Sequence, residues 1–501
     1  MSDHYGVGGS LKAEPAQILV DSAYAQDSAQ APLLMPGLAR ANLAHFLMLC
    51  EQDIVPRDIA GKVLPQLIAL CQNDKASEVV SDPRHGDAYN SMDAFLKSRL
   101  GQTAGWLHAG RARREAVNIA FLLAAKQRYL ACEGAMLGTA EALLRIAKNQ
   151  RSAIMPDWTY YLHAQPTTLG HYLLTFLESL VRDLDRWEQG LTVLDSCPGG
   201  AGSVNGSRLP LDRQRLADLL GFSSVAVHTR DAMWKPDVPM QIAANLAQAM
   251  ANLSRLCEEL MIWNTAEFGF VDLPDRFCRA SVIMPQKKNP YALAYFRGLA
   301  TSQMGLMSQY GGLGKGPSGF PDSRVFVYGS LLTELENSTK AMSLLGGLLS
   351  ELTFHPDKMA KAAREGYTFS TDLADHLLLR CRCDYQTAHN IVGAFVRELA
   401  QTEEALSEKA FARLRTIAQE RDVDISALDT DELLKLCAPD EVILTRKTLG
   451  GAGPEPLDAM LNRLDSVIDQ HNQRSVEARR HHENTAERLV AESQKFLAEM
   501  G

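Results

Sequence analysis

The stretch Ser281-Val282-Ile283-Met284-Pro285-Gln286-Lys287-Lys288-Asn289-Pro290 sets a hydroxyl, two ammonium groups and an amide directly before a helix start. Asn289 is a favoured N-cap type and Pro290 suits the first helical position. The sequence therefore predicts a helix from Tyr291 onward, with its free N–H groups and positive dipole end facing the loop. Such a loop is an anion site with a nucleophilic or basic atom in it, suited to a carboxylate or a phosphate. Taken alone, Lys287 and Lys288 fit a solvated pair ahead of a helix equally well, so the rest of the chain has to decide.

On either side of this stretch, residues 115 to 350 read as a series of long helices. Leu173, Leu177, Leu180, Leu184 and Trp187 recur at alternating spacings of four and three residues, with Glu178, Arg182, Asp183 and Asp185 between them. Leu246, Met250, Leu253, Cys257 and Leu260 repeat the device. Heptad seams of this kind predict nearly parallel helices in a bundle, with other subunits expected to cover helices this long. Glycine- and proline-rich breaks at 197–210, 269–286 and 311–322 are expected loops. A less regular helical region follows Pro356, passes the turn Gly450-Gly451-Ala452-Gly453-Pro454 and ends in a charged helix from about Leu464 to Met500. His481 and His482 belong to that helix as packing or solvated residues.

Composition narrows the class. The 501 residues allow a large core, and a formal net charge of −9 argues against a nucleic-acid or anionic-membrane partner. No basic segment leads into an apolar signal core, and no stretch is expected to approach the roughly 20 apolar residues of a membrane span. The nine cysteines are scattered and odd in number, which reads as reduced thiols in a cytoplasmic protein. Cys381-Arg382-Cys383 lacks a second ligand pair at zinc-site spacing.

The opening stretch resembles the signature loop of the fumarase/aspartase superfamily, commonly Gly-Ser-Ser-x-Met-Pro-x-Lys-x-Asn-Pro, in the Gln-Lys-Lys form typical of argininosuccinate lyases. Here the serine pair reads Ser281-Val282, after Ala280. Leu107-His108-Ala109-Gly110-Arg111-Ala112-Arg113-Arg114 is similar to the family's first segment. Met155-Pro156-Asp157-Trp158-Thr159-Tyr160, continuing through Ala164-Gln165-Pro166-Thr167-Thr168-Leu169-Gly170-His171, is similar to its second. Glu267-Phe268-Gly269-Phe270, Leu273-Pro274-Asp275 and Asp372-Leu373-Ala374-Asp375 are also typical of argininosuccinate lyases, and the match runs from about residue 35 to 470.

The resemblance implies an all-α subunit of three regions: an N-terminal helical domain at 1–115, a central long-helix bundle at 116–365 and a C-terminal helical domain at 366–501. It further implies a homotetramer whose active sites are shared between subunits, and a small dicarboxylate substrate. The implied reaction is an anti β-elimination that releases fumarate from a substituted succinate, without cofactor or metal. Removing a proton beside a carboxylate makes an aci-carboxylate dianion, whose charge must be stabilised where it develops. Lys287, Asn289, the loop amides and the helix start supply positive potential, which would also lower the pKa of Ser281 as the base. Arg113 offers a carboxylate a bidentate grip, while Thr159 and Gln165 offer hydrogen bonds.

The departures from the family fall at the chemistry. Its general-acid histidine is Tyr160 here, and the glutamate that supports this histidine in argininosuccinate lyases is Ala294. The carboxylate-binding Ser-Arg-Asn reads Ala112-Arg113-Arg114. After Lys315-Gly316 the chain runs Pro317-Ser318-Gly319-Phe320-Pro321-Asp322-Ser323-Arg324, without the residues that hold the amino-acid end of argininosuccinate. The expected activity is thus fumarate release from another N-substituted aspartate or related succinate, or the reverse addition. Arg114 and Arg324 are added to the substrate-binding set, and Tyr160 serves as a possible proton donor. Argininosuccinate lyase activity itself, a catalytically silent structural or regulatory homologue, and a cycloisomerising relative are the other readings.

Overall fold

The computed structural model describes residues 11–72, 75–318, 321–402 and 404–500, so Gly319 and Phe320 lie outside the described residues. The main helices are α1 (Ala31–Glu51), α2 (Arg57–Cys71), α3 (Ala88–Leu100), α4 (Arg113–Asn149), α5 (Leu169–Leu194), α6 (Asp237–Trp263), α7 (Tyr291–Gly314), α8 (Val325–Leu349), α9 (Ser370–Cys381), α10 (Tyr385–Thr402), α11 (Glu408–Gln419) and α12 (Pro454–Glu499). Strands occur among the described residues only as two-stranded ribbons, so the all-α expectation holds.

The helices α4 to α8 lie along one another as the central bundle, and α12 returns to lie along α4. Every residue of the two leucine seams is buried inside the single chain, and Trp187 stacks on Tyr129 with ring centroids 4.4 Å apart. This corrects the expectation that other subunits cover the seams, because α4, α5, α6 and α7 cover them mutually. Each buried leucine there contributes about 1.5–3 kcal/mol relative to exposure. A second, smaller core gathers Phe369, Leu373, Ile391, Phe395, Phe411 and Leu414 from α9 to α11.

Three local expectations change. The glycine-rich run at 311–314 continues α7 instead of breaking it. Glycine at 314 allows the close approach there, since a Cβ at that position would stand 3.0 Å from Pro236. The last helix begins at Pro454, directly after Gly453 and about ten residues earlier than its charge pattern indicated. Finally, α1 is long and apolar enough to span a membrane by composition, with 83% of that window buried within the protein.

Candidate active site

The serine loop is a short hairpin. Strands β3 (Arg279–Ala280) and β4 (Lys288–Asn289) pair antiparallel with Arg279 opposite Asn289 and Ala280 opposite Lys288. The Ser281 N–H continues the register by donating to the Lys287 carbonyl over 3.4 Å. Side chains alternate along a strand and opposed residues share a face, so Ser281, Lys287, Asn289 and Arg279 fall on one side of the ribbon. Lys288 falls on the other. Its Nζ donates to the Leu273 carbonyl at 2.6 Å and to Asp275 Oδ1 at 2.9 Å. Asp275 holds the Lys288 ammonium above the ordinary lysine pKa, so of the two lysines only Lys287 serves the serine's face. Ser281 Oγ accepts from the Met284 N–H at 3.2 Å, closing the tip, while Val282 and Ile283 stand exposed.

Helix α7 begins at Tyr291 as expected, but Asn289 is not its cap. Asn289 Nδ2 donates to the Arg279 carbonyl at 2.9 Å, and Pro290 occupies the cap position, its carbonyl accepting from the Ala294 N–H at 3.1 Å. Pairing within the ribbon competes for the amide that would otherwise cap the helix. The consequence for the site is a fixed Asn289 beside the serine.

The second segment forms strands β1 (Ile154–Thr159) and β2 (Leu162–Thr168), joined by Tyr160 and Tyr161. Both have positive φ, 54° and 62°, as a two-residue hairpin turn of the mirrored type requires. Two tyrosines where asparagine and glycine are usual store backbone strain at the tip, and such strain collects at functional positions. Tyr160 is 97% exposed, and Thr159 and Gln165 are also exposed. Tyr160 and Tyr161 at the tip line a cavity of about 200 Å³ together with Trp158, Tyr172, Glu259, Trp263 and Phe268. Tyr172 donates its hydroxyl proton to Glu259 Oε2 at 2.6 Å. Burial raises the Glu259 carboxyl pKa, while the Tyr172 hydrogen bond acts to lower it. Neither residue is marked by the motif; their only signal is a polar side chain beside each leucine seam.

The first segment starts α4. Arg113 Nη1 lies 3.0 Å from Asp87 Oδ2, and Asp87 also caps α3 by accepting from the Asn90 N–H at 2.8 Å. Burial raises the Asp87 carboxyl pKa, with Arg113 and Arg114 acting in the opposite direction. Glu115 is fully buried and accepts from the Gly200 and Gly202 N–H groups at 2.7 and 3.0 Å, so it shapes the glycine loop after α5. Arg324 is 4% exposed: its Nη1 donates to the Met233 carbonyl at 2.6 Å, and its guanidinium lies near the rings of Trp234 and Tyr328. It therefore sits in the interior and not on an open wall. Among the described residues, no hydrogen bond joins Ser281, Lys287 or Asn289 to Thr159, Tyr160 or Gln165.

Comparison with known proteins gives a consistent picture. A family model described as Lyase matches residues 51–305. The argininosuccinate lyase of Methanoculleus marisnigri is 31% identical over 471 residues, spanning 92% of this chain and 94% of that protein. Among solved structures, an EDDS lyase variant with bound fumarate superposes with a TM-score of 0.85 at 26% identity, covering 97% of both chains. The 3-carboxy-cis,cis-muconate lactonizing enzyme from Pseudomonas putida shares the fold alone, at 17% identity and a TM-score of 0.69 over 88% of this chain and 95% of that one. The long-helix core and the serine ribbon define a lyase of the fumarase/aspartase superfamily. The chain belongs to the argininosuccinate lyase-like part of that superfamily.

Proposed function

We propose that the substrate is an N-substituted aspartate or a related substituted succinate other than argininosuccinate, cleaved by cofactor-free anti β-elimination or formed by the reverse addition. The observation that carries this reading is the ribbon face on which Ser281, Lys287 and Asn289 fall together, while Tyr160 and Ala294 stand in place of the family's acid and its support. Ser281 is the base, Lys287 and Asn289 stabilise the aci-carboxylate, and Arg113, Thr159 and Gln165 hold the fumarate carboxylates. Arg114 follows Arg113 directly in sequence and adds a second cation there, while Arg324 is buried against Trp234 and Tyr328. The test is fumarate appearance from a panel of N-substituted aspartates, followed by ultraviolet absorbance, with fumarate consumption in the presence of amines as the reverse assay. Turnover of argininosuccinate alone would overturn the substrate reading. No turnover with any member would favour a catalytically silent homologue.

The assembly we propose is a homotetramer with shared sites, its three regions divided near residues 115 and 365, working in the cytoplasm. Support for the assembly comes from α7. Its outward face carries Tyr291, Tyr295, Met304 and Met307 in the open, and at Gly298, Gly305 and Gly312 an added Cβ would meet nothing within 4 Å. An uncharged face with glycines seven residues apart suits close packing against another copy. Sedimentation of a stable monomer at micromolar concentration would defeat it. Arg113 and Ser281 variants, each inactive, should regain activity when mixed.

A further inference from the structure

We propose that Arg279 is a specificity-determining residue that receives a carboxylate carried by the leaving group. This rests on the reading of Ser281 as the base. The ribbon register puts Arg279 on the same face as Ser281 and Lys287, two residues from the serine, or roughly 6–7 Å along an extended chain. Its guanidinium lies 4.6 Å from the ring centroid of Tyr291, the first and half-exposed residue of α7. A stacked guanidinium keeps its edge of N–H donors free and loses little further freedom when a carboxylate docks.

The surrounding cations make the contrast. Arg276 is paired with Glu351, Lys288 with Asp275 and Arg297 with Glu258. Arg279 is exposed and, among the described residues, has no carboxylate partner. A cation held in place by an aromatic platform, unneutralised among the described residues and on the serine's side of the ribbon, is arranged for an anionic group from outside. The fumarate carboxylates already have Lys287 and the Arg113 group, so the anion left for Arg279 is one on the departing half. Such a leaving group is an amino acid or another acidic amine, and its own negative charge is consistent with the absence of the family's histidine.

Binding of two inert probes, succinate and propane-1,2,3-tricarboxylate, to the full chain by calorimetry tests this. The third carboxylate of the larger probe stands in for the leaving group's. Arg279→Met should weaken tricarboxylate binding by about tenfold or more, the scale of a charged hydrogen bond, and leave succinate within about twofold. Tyr291→Leu should give a smaller loss in the same direction. Equal weakening of both probes, or no change in either, would overturn the proposal. Arg279-dependent tricarboxylate binding without succinate binding by the wild type would uphold Arg279 and remove the dicarboxylate site instead. Binding of neither probe would remove both.

Discussion

Lys287 and Lys288 are neighbours in sequence but fall on opposite faces of the serine ribbon, the second anchored to Asp275 and the Leu273 carbonyl. Lys287→Met should therefore cost about 10²–10³-fold in turnover, the usual scale for removing one stabiliser of developing negative charge. Lys288→Met should instead raise KM through a looser loop. Its effect on stability should stay below about 1 kcal/mol, because the ion pair it breaks is largely exposed. If Lys288→Met lowered kcat as severely as Lys287→Met, the two-face assignment would be wrong.

The sequence was most informative where a periodic pattern meets its own core. The Leu173 to Trp187 seam is buried as its spacing implied, and α7 starts at Tyr291. It was least informative where two segments compete for one group. Asn289 has the side chain of a cap, yet the backbone of Arg279, ten residues earlier, takes its amide. The seams likewise could not reveal what covers them, since amphipathic helices find partners in their own chain as readily as in another. The Tyr160-Tyr161 turn escaped because hairpin turns with two positive φ angles are recognised by asparagine and glycine, and this one has neither.

Ser281→Ala should abolish turnover, with a loss of at least about 10³-fold, while leaving the fold and assembly unchanged. The Ser281 hydroxyl makes one local contact, from the Met284 N–H, so its removal loosens only the loop tip. Single-turnover assays beside sedimentation would separate the two effects. Near-wild-type turnover in the alanine variant would take Ser281 out of the chemistry.

Tyr160 and Arg114 separate two ways of losing the leaving group. If the group departs as an anion, Tyr160→Phe should change turnover by less than about tenfold and Arg114→Ala should cost about 10²-fold or more. The exposure of Tyr160 at the hairpin tip favours this outcome. A loss of roughly 10²-fold in Tyr160→Phe with Arg114→Ala unaffected would make Tyr160 the acid instead.

Acid stability offers a test independent of catalysis, through His482. This residue of α12 is buried at the edge of a cavity of about 440 Å³ between α4, α8 and α12. Burial, aided by Arg40 and Lys126, lowers its pKa from 6.5 to about 3. The unfolded chain therefore takes up this proton as pH falls through 6.5, while the folded chain refuses it until about pH 3. Stability from this group is full above pH 6.5 and declines between the two values, by at most about 1.4 kcal/mol per pH unit. His45 behaves in the same sense, and buried carboxyls with raised pKa such as Glu115 in the opposite one, so only a difference between proteins isolates His482. Urea midpoints of wild type and His482→Leu, compared at pH 7.5, 5.5 and 4.5, supply that difference. The variant should gain on the wild type steadily below about pH 6.5, and parallel midpoints across the series would mean that His482 takes up its proton equally readily in both states.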